Sequence, residues 1–300
     1  RRVIGAEPAA LEHRPAQAGD VVLQVRDLLL PRQDAFGVDL IDVSLQVRSG
    51  EVVGIAGVSG NGQQELLRAL SGEDTRAQPA MVQVTGQDVA RLGPQQRRAL
   101  GLHFVPEERL GGGAVPARGV AHSLLLTRSD AVGAMGWLHL GQLKAQARAI
   151  IERFGVKAGG ADAPARSLSG GNLQKFIVGR EIAAQPKLII IAQPTWGVDV
   201  GAAAQIHAEI LALRDAGCAV LIVSEELDEL FELSDRLYVL AKGHLSPSVA
   251  RADATVQQVG EWMSGLWNAD VQQHLADMEQ VLPSSEAAQA NAQVKGPQHV

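Results

Sequence analysis

Cysteine is almost missing from this chain of 300 residues: Cys218 stands alone. An internal disulfide is therefore excluded, and a single thiol fits a reducing compartment. Within the apolar run CAVLIV, Cys218 reads as inert core. Long hydrophobic runs are missing too. The longest, LIIIA and AVLIV, are strand-sized, against the roughly 18–20 apolar residues that a membrane-spanning helix needs. Arg1–Pro8 leads into no apolar segment, so no secretory leader is read there. The first residue is not methionine, and the chain is expected to be a processed, truncated or excised piece of something longer. Basic charge is in deficit. The 27 Lys and Arg against 33 Asp and Glu give a net charge of −6, which argues against nucleic acid as a partner. The eight histidines show no metal-ligand spacing, so no metal site is read, and no Ser-His-Asp or Cys-His arrangement emerges. His103 and His122 read as structural.

What remains fits a globular chain with a sizeable core, at 46% hydrophobic and 20% charged residues. Residues 1–20 are rich in Ala and Pro and read as a linker. Val21–Leu30 and Val38–Val47 carry partial alternation and read as strands. Glu51–Ala56 is a short apolar strand feeding a glycine turn, and a helix is expected from about Gly62 through Leu66, Leu67 and Leu70. Met81–Val84 and Gly101–Val105 read as further strands, with a short helix, Gln95–Leu100, opened by Pro94. Between about 114 and 184 the pattern turns helical, with Leu143, Ala147, Ile150, Ile151 and Phe154 at helical spacing. Buried strands are expected at Leu188–Ala192, Ala219–Val223 and Leu237–Leu240, separated by helices near 202–216 and 226–233, with a turn at Gly243. Thr255–Leu266 reads as a last helix with Val256, Val259, Trp262 and Met263 on one face. From 268 to 300 a Gln-, Ala- and Ser-rich tail is expected to be disordered or frayed. Strands alternating with helices imply a largely parallel sheet covered on both faces.

Three motifs carry the chemistry. After the strand Glu51–Ala56 comes GVSGNGQQE (Gly57–Glu65). Its glycines let backbone N–H groups turn toward a phosphate at a helix N-terminus. The pattern GxxxxGK[ST] would place lysine where Gln63 stands and a Mg²⁺-binding hydroxyl where Gln64 stands. A charge-assisted hydrogen bond is worth roughly 1.5–3 kcal/mol against about 1 for a neutral one, so the loss weakens phosphate binding while a backbone cradle could persist. At the end of the strand Leu188–Ala192 an acidic pair could hold metal and polarise water. Here the pair is Ala192 and Gln193, which can do neither. The third motif, LSGGNLQK (Leu168–Lys175), opens a helix with Ser169, Gly170, Gly171 and Asn172. A plain Ser N-cap before glycines begins many helices, but the following LQK and the spacing to Leu188 extend the match.

Together these residues resemble the ATP-binding-cassette (ABC) ATPases, and among them the ATPase subunits of simple-sugar and nucleoside importers, which carry two cassettes in one polypeptide. Residues 21–267 look like the second cassette. VPEERL (Val105–Leu110), SEELDEL (Ser224–Leu230) and AQPTWGVDVGA (Ala192–Ala202) extend the likeness, while Trp196 departs from the arginine typical there. The resemblance implies an α/β fold: a P-loop NTPase (RecA-like) core with a parallel sheet, an antiparallel β subdomain and an inserted helical subdomain at about 114–184. It implies ATP as cofactor, bound at Gly57, Ser59, Gly60, Asn61, Gly62, Gln63 and Gln64, with Glu107 at the γ-phosphate-sensing position and Asp199 in the loop crossing to a partner cassette. Mg²⁺ stays open. Glu225 stands where a histidine usually contacts that phosphate. The Glu107–Arg109 run stays open between a switch and a solvated charge run, and Phe36 between an adenine-stacking residue and core. Implied partners are an intact first cassette, two membrane permeases (met by the segment from Glu107 to about Ser129) and an extracellular binding protein. The implied location is cytoplasmic, on the inner face of the membrane. Two alternatives remain open: a soluble ABC ATPase of translation or DNA repair, and a scaffold binding no nucleotide.

Overall fold

The computed structural model describes residues 17–128, 133–134 and 137–267. Most of the expected linker and all of the tail expected over 268–300 lie outside the described residues. The chain opens with β1 (Val21–Leu30) and β2 (Leu40–Arg48), an antiparallel pair. Their register breaks between Val25 and Leu28, where Asp27 takes a positive φ of 46° and its N–H meets Ser44 Oγ at 2.8 Å. That bulge lets Val25 and Leu28 both face the core, which is why the alternation in the sequence is only partial.

β3 (Val52–Ala56) is buried at every position and leads into α1 (Gln63–Ser71). Next come β4 (Val82–Val84), β5 (Gln87–Asp88) and α2 (Pro94–Ala99), with Pro94 at the first helical position. β4 pairs with β1, completing a four-stranded antiparallel sheet in the order β2-β1-β4-β5. β6 (Leu102–Val105) returns the chain to the main sheet.

The stretch expected to be helical is mixed. It starts with α3 (Val120–Ser123) and a 3-10 turn over Leu124–Leu126, then crosses a hairpin of β7 (Gly133–Ala134) and β8 (Trp137–Leu138). α4 (Leu140–Arg153) buries Leu143, Ala147 and Ile150 as the spacing requires, with Phe154 buried just beyond it. α5 (Gly170–Ala183) carries the LSGGN motif at its start. β9 (Leu188–Ala192), α6 (Val200–Asp215), β10 (Ala219–Ser224), α7 (Leu227–Leu233) and β11 (Arg236–Ala241) follow. Two short strands that the sequence does not announce, β12 (His244–Leu245) and β13 (Val249–Ala250), pair antiparallel with β11. α8 (Val256–Met263) buries Val259 and rests Trp262 and Met263 on the core, but Val256 points to solvent.

The main sheet runs β12-β11-β3-β10-β9-β6, and its pairs from β11 to β6 are all parallel. Both faces are covered. Ile189 and Ile191 pack on one side with Phe176 and Ile206, while Ile190 packs on the other with Leu23 and Leu70. Strands buried on both faces are continuously apolar, as LIIIA and AVLIV are. Cys218 is buried beside β10, and that burial pushes its thiol up to about 12.

A buried ionic cluster fastens the helical insert to the sheet. Glu181 of α5 is fully buried and takes Arg98 Nη1 at 2.6 Å, His103 Nδ1 at 2.9 Å and Arg180 Nε at 2.7 Å. Arg180 also donates to the carbonyls of Gly113 and Ser123. Burial alone would raise the Glu181 pKa, but the charges of Arg180 and Arg98 and the hydrogen bond with His103 hold the carboxyl far below its usual range. Its contribution is therefore complete at neutral pH and is lost only as pH falls through the folded-state value. Replacing Glu181 with Ala strands two guanidinium groups, and we expect a loss of about 3–5 kcal/mol of stability, to be read from urea unfolding at neutral pH.

Candidate functional site

Parallel strands place their C-terminal ends along one edge of the sheet, and open α/β folds put their chemistry there. β3 delivers Gly57, β6 delivers Glu107, β9 delivers Gln193 and β10 delivers Glu225. These four loops close around one small cavity lined by Gly57, Ser59, Gly60, Gln63, Gln64, Glu107, Ala192, Gln193 and Glu225 among others. The fold thus brings together residues separated by up to 168 positions. Asn61 belongs to the same loop but faces outward, where its carbonyl and side-chain oxygen accept from the N–H groups of Gly243 and Lys242. Glu65, in the first turn of α1, accepts from Val38 N–H at 3.1 Å and so ties the loop bearing Phe36 to the same corner. Phe36 is 99% exposed, which removes the core reading for that residue.

The cavity holds carboxylates and amides where a triphosphate site needs a cation. Partial burial, then the charge of Glu225, push the Glu107 carboxyl above its usual range. Gln193 Oε1 accepts from the Glu225 N–H at 3.3 Å. Gln64 and Ala192, at the two positions expected to ligate Mg²⁺, offer an amide and a methyl group. Ala192 has no ligand atom to offer and Gln64 only a neutral amide oxygen, so these two positions fit a hard cation poorly.

The LSGGN motif stands apart from this cavity. Ser169 caps α5 by accepting from Asn172 N–H and, at 2.8 Å, from Asn172 Nδ2. Ser169 and Gly170 are exposed. Arg109 reaches this helix start. Its Nε donates to Gln174 Oε1 at 3.1 Å, Nη2 donates to the Trp196 carbonyl, and the guanidinium lies 5.5 Å from the Trp196 ring centroid. A Cβ on Gly170 would fall 2.6 Å from Arg109 Nη1, so a side chain there would make the end of Arg109 shift. Arg109 is therefore a structural fastener and not part of a solvated charge run. Asp199 caps α6 by accepting from Ala202 N–H at 3.0 Å and does not line the loop cavity.

One network went unread in the sequence. Glu229 of α7 accepts from Thr195 Oγ1 at 2.5 Å and from Ser224 Oγ at 2.8 Å, binding the ends of β9 and β10. His207 of α6 lies between Glu229 and Glu232, each ring nitrogen 3.1 Å from a carboxylate oxygen. Only an imidazolium can donate to both. The sole hint in the sequence was a histidine on the apolar face of α6, a pattern that more often means core.

The family model for the ABC transporter matches residues 40–196. The chain belongs to the ABC transporter family. Relatives of this cassette include the guanosine import ATP-binding protein NupO of Bacillus subtilis (strain 168), 38% identical over 85% of this chain, and the nucleoside import ATP-binding protein NupA of Lactococcus lactis subsp. cremoris (strain MG1363), 37% identical over 85%. Each match covers 50% of the relative, so the cassette spans about half the length of these proteins. Among solved structures, the ADP conformation of MJ1267, an ATP-binding cassette of an ABC transporter, aligns with a TM-score of 0.64 at 21% identity, covering 85% of this chain and 99% of that one. This likeness is one of fold: a P-loop NTPase core with a parallel sheet and an antiparallel subdomain. Among the described residues, no helix is long and apolar enough to cross a membrane.

Burial alone would lower the His207 pKa, but its bonds to Glu229 and the charges of Glu229 and Glu232 raise it. The ion pair's contribution to stability is thus complete below the unfolded value of about 6.5 and disappears as pH rises through the folded one. From about pH 6 to about pH 9, the Tm of the wild type should fall more steeply than that of His207→Gln. Parallel profiles would show that the imidazolium contributes nothing.

Proposed function

We propose that this chain is the degenerate second cassette of a tandem ATP-binding protein in an importer of nucleosides or simple sugars. Its role is to complete a partner's ATP site. The observation that carries this reading is an asymmetry. Ser169 to Asn172 present an intact helix start, exposed at Ser169 and Gly170, while the chain's own cavity lacks the lysine and has Ala192 and Gln193 in place of an acidic pair. A helix N-terminus with a serine hydroxyl suits a γ-phosphate brought by another cassette. In this reading Ser169, Gly170, Gly171 and Asn172 act in trans, and Asp199 faces the partner across the same seam. Gln193 and Glu225 mark the lost base and the lost γ-phosphate contact. The own loop holds ATP weakly and without turnover, with Phe36 free to stack on the base.

The relatives named for guanosine and nucleoside import support the solute class, and their twofold length supports an intact first cassette in the missing half. Relatives named for glucose and xylose import keep simple sugars in view. Membrane permeases would be met through the segment from Glu107 to about Ser129, an extracellular binding protein would supply solute, and the assembly would sit on the cytoplasmic face of the membrane. A scaffold that binds no nucleotide is the second reading, favoured by the small size of the loop cavity.

The test uses the complete two-cassette protein. Replacing Ser169 with Trp should lower its ATPase rate by about 100-fold or more, as loss of a transition-state donor does. Unchanged turnover would end the donor role. In the chain alone, Gln63→Lys should not create an ATPase, because Ala192 and Gln193 still supply neither metal ligand nor base at the end of β9, and the Glu225 carboxylate repels the γ-phosphate. Phosphate release at the rate of an intact ABC ATPase from that variant would contradict the assignment of the lost groups.

A further inference from the structure

Gln63 does more than leave out a positive charge. Its side chain folds back into the loop that precedes it. Oε1 accepts from the Asn61 N–H at 3.0 Å, and Nε2 donates to the Val58 carbonyl at 2.8 Å. The same carbonyl also takes Asn61 Nδ2 at 2.9 Å. A Cβ on Gly57 would lie 2.5 Å from Gln63 Nε2, so the amide rests directly on the glycine that opens the loop. The cavity left beside it measures about 20 Å³, room for little more than one water molecule.

Lysine could not make this arrangement. An ammonium has donors only, whereas a primary amide carries both an acceptor and donors. It can therefore satisfy a loop N–H and a loop carbonyl at once. An anion-binding loop works by leaving its N–H groups unpaired until phosphate arrives. Here one of those N–H groups is already paired, and the occupant is a carbonyl oxygen, the nearest neutral likeness of a phosphate oxygen.

We infer that Gln63 is a specificity determinant of the cassette's own loop, a tethered neutral surrogate for phosphate that must swing out before any polyphosphate can enter. The inference rests on reading the loop as a degenerate nucleotide site, and it names what keeps that site weak. Two carboxylates, Glu107 and Glu225, line the same cavity and add repulsion toward a polyanion. They act whether or not Gln63 has moved.

The two ways of being weak make opposite predictions. If only the missing cation matters, Gln63→Ala binds nucleotide no better than wild type, since alanine adds no charge and removes a potential donor. If the amide plugs the loop, Gln63→Ala binds better. We expect titration of the purified chain with mant-ATP to give a Kd at least threefold lower for Gln63→Ala. Gln63→Glu, which offers the Asn61 N–H a stronger acceptor and adds negative charge, should bind more weakly than wild type. An alanine variant whose Kd stays within threefold of wild type, or rises, overturns the plug. Circular dichroism melts check that each variant is folded. The wild type alone gives an independent reading: hydrogen exchange at the Asn61 amide should be slowed, and exchange at the rate of an open loop overturns the proposal. None of these measurements involves the LSGGN motif. A silent Ser169 variant would remove the donor role and leave this inference standing, and the converse also holds.

Discussion

Parallel pairing of β6, β9, β10, β3 and β11 is the constraint on which everything else depends. Each strand is sealed on both faces, so its side chains are committed to packing. Chemistry is left to the loops where the strands stop. Because the strands run the same way, all those loops emerge at one edge. Glycines after β3, a carboxylate after β6, an amide after β9 and a carboxylate after β10 therefore meet, although the chain separates them widely. The His207–Glu229 network shows how firmly that edge is held. A single carboxylate ties Thr195 and Ser224, so the tips of two neighbouring strands cannot move apart independently.

The edge has the geometry of a phosphate-loop site. Gln63, Ala192, Gln193 and Glu225 stand at the positions where the family resemblance leads one to expect a lysine, a metal-binding acid, a base and a histidine. The strand lengths, the loop glycines and the helix that follows are all present. A cassette that had simply decayed would lose packing residues as readily as polar ones. Here the core is intact around a cavity lined by two carboxylates, Glu107 and Glu225, and by no lysine. At the far end of the insert the helix start at Ser169 is untouched. In the proposed reading, the molecule separates two tasks that a symmetric ATPase pair performs in each member, holding a triphosphate and touching another's.

Much of this could be read from sequence because strands buried on both faces are monotonous. LIIIA and AVLIV admit few alternatives once helices flank them. The glycine loop and LSGGN were visible as spacing. What could not be read arose from partners that sequence does not place side by side. The strand Val21–Leu30 is legible in the sequence, but the bulge at Asp27, which puts Val25 and Leu28 on the same face, is not. The strands at His244 and Val249 exist only because the β11 edge pairs with them, and the two-residue strands β7 and β8 are too short to carry a period. Gln63 was legible as an absence of lysine, but its two hydrogen bonds depend on where Val58 and Asn61 point. The Glu181 cluster was equally hidden, since its members come from α2, β6 and α5.

Arg109 gives the helical insert its mounting. It leaves the loop after β6, lies flat against an indole and passes over a glycine at the tip of α5. Gln174 then carries the link on to the Pro194 carbonyl at the end of β9. The tip of α5 is thereby riveted to the sheet margin. Its placement is inherited from strand geometry more than from the insert's own helices. Lifting the tip of α5 from that margin would require the Arg109–Gln174 and Gln174–Pro194 hydrogen bonds to break together.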